Sequence, residues 1–383
     1  MSIFKHLIKR YIEFKSWKSF DHLLIIESDD WGAERTRDVD ALNRLVKINA
    51  RVSDDQMTLL DTIASPDDLG FLFETLESVR DCLGNPAVIT ANVCTANPDF
   101  NKIKDSGFQE FHFEPFYQTI QRKDEGGKRL LLWSEGISRK IFYPQLHGRE
   151  HVHALAWLHE LQLGNRELLQ AFEAGAWGIP YTPLGIKRRR NLLAALDVYG
   201  MEGEKEFQEK WIADSVNIFK TYFHFSPSTF IPPAYTWHTN ITSQLNEIGI
   251  KAVQGISFQY QPNPNGSRDL YRKIMHINGQ QLTTGNQLVR LSRNAFFEPF
   301  SNTEFDWTGT ALQAINRAFS KGMPAILGTH RVNYIGQYNV MNRDVNLKNL
   351  KKLLTTVVQK WPGVKFITSA QLTQLILADS RLN

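Results

Sequence analysis

The stretch His22-Leu-Leu-Ile-Ile-Glu-Ser-Asp29-Asp30-Trp31-Gly32 sets the fold class of this 383-residue chain. Four apolar residues in a row lack the alternation of a half-solvated strand, and they run straight into adjacent carboxylates. Such a run reads as a buried strand that delivers polar groups to the carboxyl edge of a sheet, where α/β enzymes keep their sites. Outward from it, strand and helix patterns alternate. Residues 36–48 and 67–83 predict helices, the second opened by Ser65-Pro66-Asp67-Asp68. Ala87–Cys94 predicts the next strand, closed by the turn Ala96-Asn-Pro-Asp99. Residues 141–146 predict a strand leading into His147, and 152–175 a helical stretch. Further strands are expected at 228–233, 250–254, 324–329 and 364–368, with helices at 240–248, 346–360 and beyond 368.

This alternation implies an α/β fold with a parallel sheet, open or closed into a barrel. The expected organisation is an amphipathic helix over 1–20 and one (β/α) barrel domain over 21–383. Insertions are expected near 100–140, with a hairpin about Gly126-Gly127, and near 176–226, which carries the basic run Lys187–Arg190.

Hydrophobic residues make up 42% of the chain and charged residues 22%, ordinary values for a globular protein with a large core. A net charge of +4, from 44 basic and 40 acidic residues, is too balanced to argue for nucleic acid. Two cysteines, Cys82 and Cys94, fit a reducing compartment and are too few for a disulfide framework or a thiolate metal site. Neither a signal peptide nor a membrane span is visible in the pattern, so the expected location is cytoplasmic, including the inner face of the membrane. The first 18 residues put Phe4, Leu7, Ile8, Tyr11 and Ile12 on one helical face, with Lys5, Lys9, Arg10 and Lys15 elsewhere. That helix reads either as a cover for the bottom of the domain or as one lying on an anionic membrane surface.

Polar residues recur at the predicted strand ends: Asp29, Asp30, Asn92, His147 and His330. One carboxylate plus the imidazoles of His147 and His151 is a sound ligand set for a zinc-like divalent ion with open positions. The other carboxylate is then free to act as a base. Taken singly, Asp29-Asp30 also fits a strand-end cap, and each histidine fits an ordinary polar position; together on one sheet edge they favour a site. The segment His147-Gly-Arg-Glu150-His151 also matches H-x-x-E-H, a zinc-peptidase pattern with Glu150 as base, which requires a helix through both histidines. Lys187–Arg190 fits a diphosphate contact or a solvated basic face. Trp133, Phe296, Phe297 and Trp307 fit sugar stacking or plain core packing.

In their order along the chain these motifs resemble the polysaccharide deacetylase family, metal-dependent carbohydrate esterases with a NodB-homology domain. Glu27-Ser-Asp29-Asp30-Trp31-Gly32 resembles the family's Thr-Phe-Asp-Asp-Gly, and His147 with His151 its His-x-x-x-His. Ile231-Pro-Pro-Ala-Tyr235 resembles its Arg-Pro-Pro-aromatic turn, and Thr303-Glu-Phe-Asp-Trp307 its Asp-x-x-Asp-Trp. Leu327-Gly-Thr-His330 resembles its final Leu-x-His, with one extra residue. The resemblance spans about residues 21–380 and implies a distorted (β/α) barrel. It implies one bound divalent ion, most often Zn2+ with Co2+, Ni2+ or Mn2+ as alternatives, held by Asp30, His147 and His151. Asp29 would be the base, His330 the general acid, a backbone N–H near Ala234 or Tyr235 an oxyanion donor, and Trp307 a wall of the acetyl pocket. The substrate implied is an N-acetylated amino sugar or glycan, free or carried on a nucleotide or lipid, within surface polysaccharide synthesis. Three departures stand out: Ile231 replaces the family's arginine, Thr303 its first aspartate, and Trp31 its glycine. They open a rival reading, a non-catalytic glycan-binding relative.

Overall fold

The computed structural model describes residues 3–124, 126–181, 192–263, 272–282 and 288–379. Its centre is a parallel sheet whose strands come in the order of the sequence pattern. They are β1 (Leu23–Trp31), β2 (Ile89–Cys94), β3 (Phe142–Gly148), β4 (Thr229–Phe230), β5 (Ala252–Gly255), β6 (Val289–Ser292), β7 (Ala295–Phe296), β8 (Ala325–His330) and β9 (Lys365–Phe366). The spatial order is β6-β5-β4-β3-β2-β1-β8-β7, with β9 also pairing β1. The sheet curls, with helices around it, as a distorted (β/α) barrel. β1 is buried along its whole length, as a strand covered on both faces must be, which explains its unbroken apolar run.

Its two end strands, β6 and β7, are consecutive in sequence, with only Arg293 and Asn294 between them. The Arg293 N–H donates to the Gly255 carbonyl at the end of β5, and the Asn294 N–H to the Ile326 carbonyl on β8. Two adjacent peptides thus join opposite edges of the curled sheet.

The expected elements at 36–48, 87–94 and 324–329 appear within a few residues of the predicted bounds, while the helix expected at 67–83 ends at Glu77 and the one expected at 346–360 begins at Val340, six residues off in each case. Two regions differ. Gly126-Gly127 does not turn a hairpin: Gly127, with a φ of 72°, precedes the helix Lys128–Ser138, and Phe116–Arg122 is also helical. Residues 128–138 bury Trp133 and Gly136 against the sheet, so the tertiary apolar face outweighs the turn signal. The region 176–226 holds a 20-residue helix, Glu204–Phe223, that packs on β3 and leads into β4. It is the crossover the barrel requires, and the run Lys187–Arg190 lies outside the described residues.

The amphipathic helix α1 (Ile3–Lys15) lies near the β6–β7 seam, where Ile8, Ile12 and Ser16 line one side of a cavity of about 440 Å³. Leu7, Tyr11 and Phe14 stay exposed. Among the described residues no helix is long and apolar enough to cross a membrane.

Candidate metal centre and acid–base pair

The site is built by two irregularities in neighbouring strands. Along β1, Ser28 pairs with Ala91 and Trp31 with Val93, so β1 carries one residue more than its partner. Asp30 sits in that bulge with a φ of 70°, a left-handed conformation that costs an L-residue roughly 1–2 kcal/mol and that Asp tolerates better than most. The extra residue lets both Asp29 and Asp30 reach one polar centre, which strict alternation would forbid. It also sends Trp31 inward against Trp133 and Phe142, its indole donating to Ser28 Oγ at 3.0 Å. The tryptophan in place of the family's glycine is therefore a core residue. In β3 the mirror irregularity occurs: Val93 pairs with Leu146, but Cys94 pairs with Gly148, leaving His147 as the extra residue. Gly148 has a φ of 100°, and a Cβ there would lie 1.9 Å from Trp211.

His147 Nδ1 donates to the Ile231 carbonyl at 2.8 Å, because a carbonyl can only accept. That bond fixes the tautomer and leaves Nε2 with a lone pair, the arrangement metal-bound histidines use. His147 Nε2 lies 3.3 Å and His151 Nε2 3.8 Å from Asp30 Oδ1. Asp30 Oδ1, His147 Nε2 and His151 Nδ1 are buried and have no hydrogen-bond partner. Orphaned buried atoms of this kind are costly unless something else satisfies them. Ligands of a tetrahedral ion at bond lengths of about 2.0–2.2 Å stand roughly 3.3–3.6 Å apart, a spacing that Asp30 Oδ1 and His147 Nε2 match. His151 is set less closely: its unpartnered atom is Nδ1, whereas Nε2 is the one 3.8 Å from Asp30, and no close-set ligand group among the described residues includes it. Burial drives the His151 imidazole down to about 4, which keeps it neutral and ligand-ready.

Asp29 is held differently. Burial opposes its charge, but Arg293 outweighs it and brings the carboxyl to about 2. The Arg293 fork donates from Nη1 to Oδ2 at 2.7 Å and from Nη2 to Oδ1 at 2.6 Å, while its Nε donates to Glu27 Oε2 at 2.7 Å. Asn92 adds a bond to Asp29 Oδ1 at 2.7 Å, and the Tyr235 hydroxyl accepts from Arg293 at 3.2 Å. The positive charge beside Asp29 thus comes from the β6–β7 seam. Nothing in the local sequence Leu-Ser-Arg293-Asn marks it; only the sheet order brings it across from Asp29. Ile231 is buried and contributes its carbonyl, and Thr303 is exposed.

His330, at the end of β8, stands with Nε2 3.8 Å from Asp29 Oδ2 and Nδ1 2.7 Å from Glu298 Oε1. Burial disfavours its cation, yet Glu298 and the two aspartates raise it to about 10. Glu298 is itself fixed by Asn333 Nδ2 at 2.8 Å, and neither residue was visible as functional in the sequence.

The remaining expected residues divide. Ala234 and Tyr235 have φ values of 53° and 54° in the turn after Pro232-Pro233. The Tyr235 N–H already donates to the Pro232 carbonyl at 3.0 Å, so of the two amides only that of Ala234 stays a candidate donor. Trp307 is not drawn to the carboxylates by any bond of its own: its indole donates to the Asn302 carbonyl at 3.0 Å and its ring meets Phe305 edge-on. The H-x-x-E-H reading fails on geometry. β3 ends at Gly148 and no helix passes through 147–151, while both Glu150 oxygens are taken by Arg149 at 2.6 and 2.9 Å.

No family model and no curated protein matches the chain. Among solved structures it is similar to a protein from Mycobacterium smegmatis assigned as a polysaccharide deacetylase, at 11% identity and a TM-score of 0.46, covering 96% of this chain and 94% of that one. It is similar to a Pseudomonas aeruginosa protein of the same assignment, at 7% identity and 0.44, over 92% and 89% of the two chains. It is also similar to 4-alpha-glucanotransferase from Thermococcus litoralis, at 8% identity and 0.45, over 92% of this chain and 40% of that one. Likeness this low assigns neither family nor activity.

Proposed function

We propose that the chain is a metal-dependent deacetylase acting on an N-acetylated amino sugar or glycan. The observation that carries this reading is the pairing, at one sheet edge, of the unsatisfied donors of Asp30 and His147, His151 beside them, with an ionised carboxylate and a charged imidazole. Asp30, His147 and His151 would hold a divalent ion, which when bound supplies carbonyl polarisation and a water of lowered pKa. Asp29 is ionised across the neutral range and takes the proton of the attacking water. A carboxylate held near 2 is a weak base, which would suffice for a water whose pKa the ion had lowered. As the C–O bond forms and the C–N bond breaks, His330 gives its Nε2 proton to the departing amine. Glu298 holds the opposite edge of the ring, so Nε2 is the edge turned to the reaction. The Arg293 charge answers the departure at Ile231 that motivated a non-catalytic reading.

Near one metal per chain is expected in the purified protein, lost in His147→Ala and Asp30→Ala. Acetate release from a panel of acetylated sugars should vanish in Asp29→Asn while the metal stays. A wild-type protein that binds no divalent ion would sink the proposal. The biosynthetic setting, the cytoplasmic location and a nucleotide- or lipid-linked substrate belong to the same proposal. Peripheral contact with an anionic membrane is supported by exposed Leu7, Tyr11 and Phe14 beside Lys9, Arg10 and Lys15, and sedimentation with phosphatidylglycerol vesicles reads it.

A further inference from the structure

We propose that Cys94 is a fourth protein ligand of that ion, bound as a thiolate. The inference rests on the metal-site reading and extends it to a residue outside the histidine and aspartate motifs. With two cysteines in the chain, a thiolate at the metal was not expected from sequence. The structure nevertheless puts the Cys94 sulfur, the Asp30 carboxylate and a His147 ring nitrogen all within 4.8 Å of one another.

The placement follows from the paired bulges. Cys94 ends β2 between the bulge that carries Asp30 and the one that carries His147, and its strand partner is Gly148. It is fully buried. A buried cysteine is often just a small apolar filler. Here, however, two buried atoms beside it, Asp30 Oδ1 and His147 Nε2, lack any hydrogen-bond partner. The edges of a tetrahedral site with one sulfur at about 2.3 Å and the other ligands at about 2.0–2.2 Å are roughly 3.3–3.8 Å. The 3.3 Å separation between Asp30 Oδ1 and His147 Nε2 already has that size.

Coordination exchanges the S–H proton for the ion: the S–metal bond forms, the proton leaves to solvent, and no electron changes hands. Two anionic ligands then neutralise a divalent charge. Water or an acyl oxygen would join as a fifth ligand, an expansion zinc accepts. A sulfur donor also biases the choice of ion toward zinc, cobalt and cadmium and away from magnesium, calcium and manganese.

The test uses full-length Cys82→Ser protein, in which the exposed thiol is gone and Cys94 alone remains. One equivalent of Co2+ should give visible d–d bands together with an intense near-ultraviolet band from thiolate-to-cobalt charge transfer. Adding Cys94→Ser should abolish the charge-transfer band, keep the d–d bands, and weaken Cd2+ binding by at least the 10- to 100-fold that lesser changes around a metal cost. Stoichiometric cobalt with d–d bands but no charge-transfer band in the Cys82→Ser protein overturns the role of Cys94 and leaves the Asp–His–His site standing. Absence of cobalt binding overturns both. If Cys94→Ser fails to fold, the spectrum of the Cys82→Ser protein still decides the question.

Discussion

Arg293 bears more of this site than any other single residue, because two buried carboxylates depend on it. It is fully enclosed and bonds both Asp29 and Glu27. Arg293→Met would strand both acids, and removal of one partner from a buried ion pair costs about 3–5 kcal/mol. The urea midpoint should fall accordingly, and acetate release should fall with it as Asp29 takes up a proton. Arg293→Lys keeps the charge but not the fork, so it should recover stability better than activity. His330 gives a pH prediction. Its pKa is raised, so the protonated, proton-donating form persists below that value and is lost above it. The alkaline limb of the rate profile should therefore lie well above the ordinary imidazole range near 6.5. Glu298→Gln removes the nearest negative partner and should move that limb down; a bound cation lowers the starting point but not the direction. Asp29, Asp30, His147, His151 and His330 were legible in the sequence because each ends or follows an apolar run. Arg293, Glu298 and Cys94 were not, since an arginine between two short strands and a cysteine in an apolar one carry no mark of what the sheet brings beside them.

At the scale of elements, the site depends on two bulges rather than on regular strands. Gly148→Ala tests this directly. The position combines a φ of 100° with a Cβ that would meet Trp211 at 1.9 Å. The substitution should destabilise by more than the ~1 kcal/mol that a left-handed conformation alone costs. It should also displace His147 next to it, so metal affinity measured by competition with a chelator should drop even where the protein stays folded. The helix-and-strand alternation was readable from the chain because buried strands and amphipathic helices differ in period. The helix Glu204–Phe223 was not: its apolar residues are interrupted by lysines and glutamates on the solvent side, and the surrounding segment reads as polar. The supposed hairpin at Gly126-Gly127 shows the converse, a strong local turn signal that merely starts a helix.

For the molecule as a whole, metal binding and folding should be linked, because Asp30 and His147 sit on strands β1 and β3 within the sheet. A ligand present at a hundred times its dissociation constant stabilises by about 2.7 kcal/mol at room temperature. Stripping the ion with a chelator should thus lower Tm measurably, and Zn2+ should restore it, while His147→Ala should make Tm insensitive to both. An unchanged Tm in wild type would show that the ion contributes nothing to the fold.

The seam between β6 and β7 has a wider bearing. The peptide that unites the two edges of the sheet carries the guanidinium that keeps Asp29 ionised, whereas the deacetylase pattern places that charge before a Pro-Pro turn. What the carboxylate needs is a fixed positive neighbour, and any backbone that passes over it at the right depth can furnish one. A chain that looks deficient when read motif by motif can therefore carry the same charge on the seam where the sheet's two edges meet.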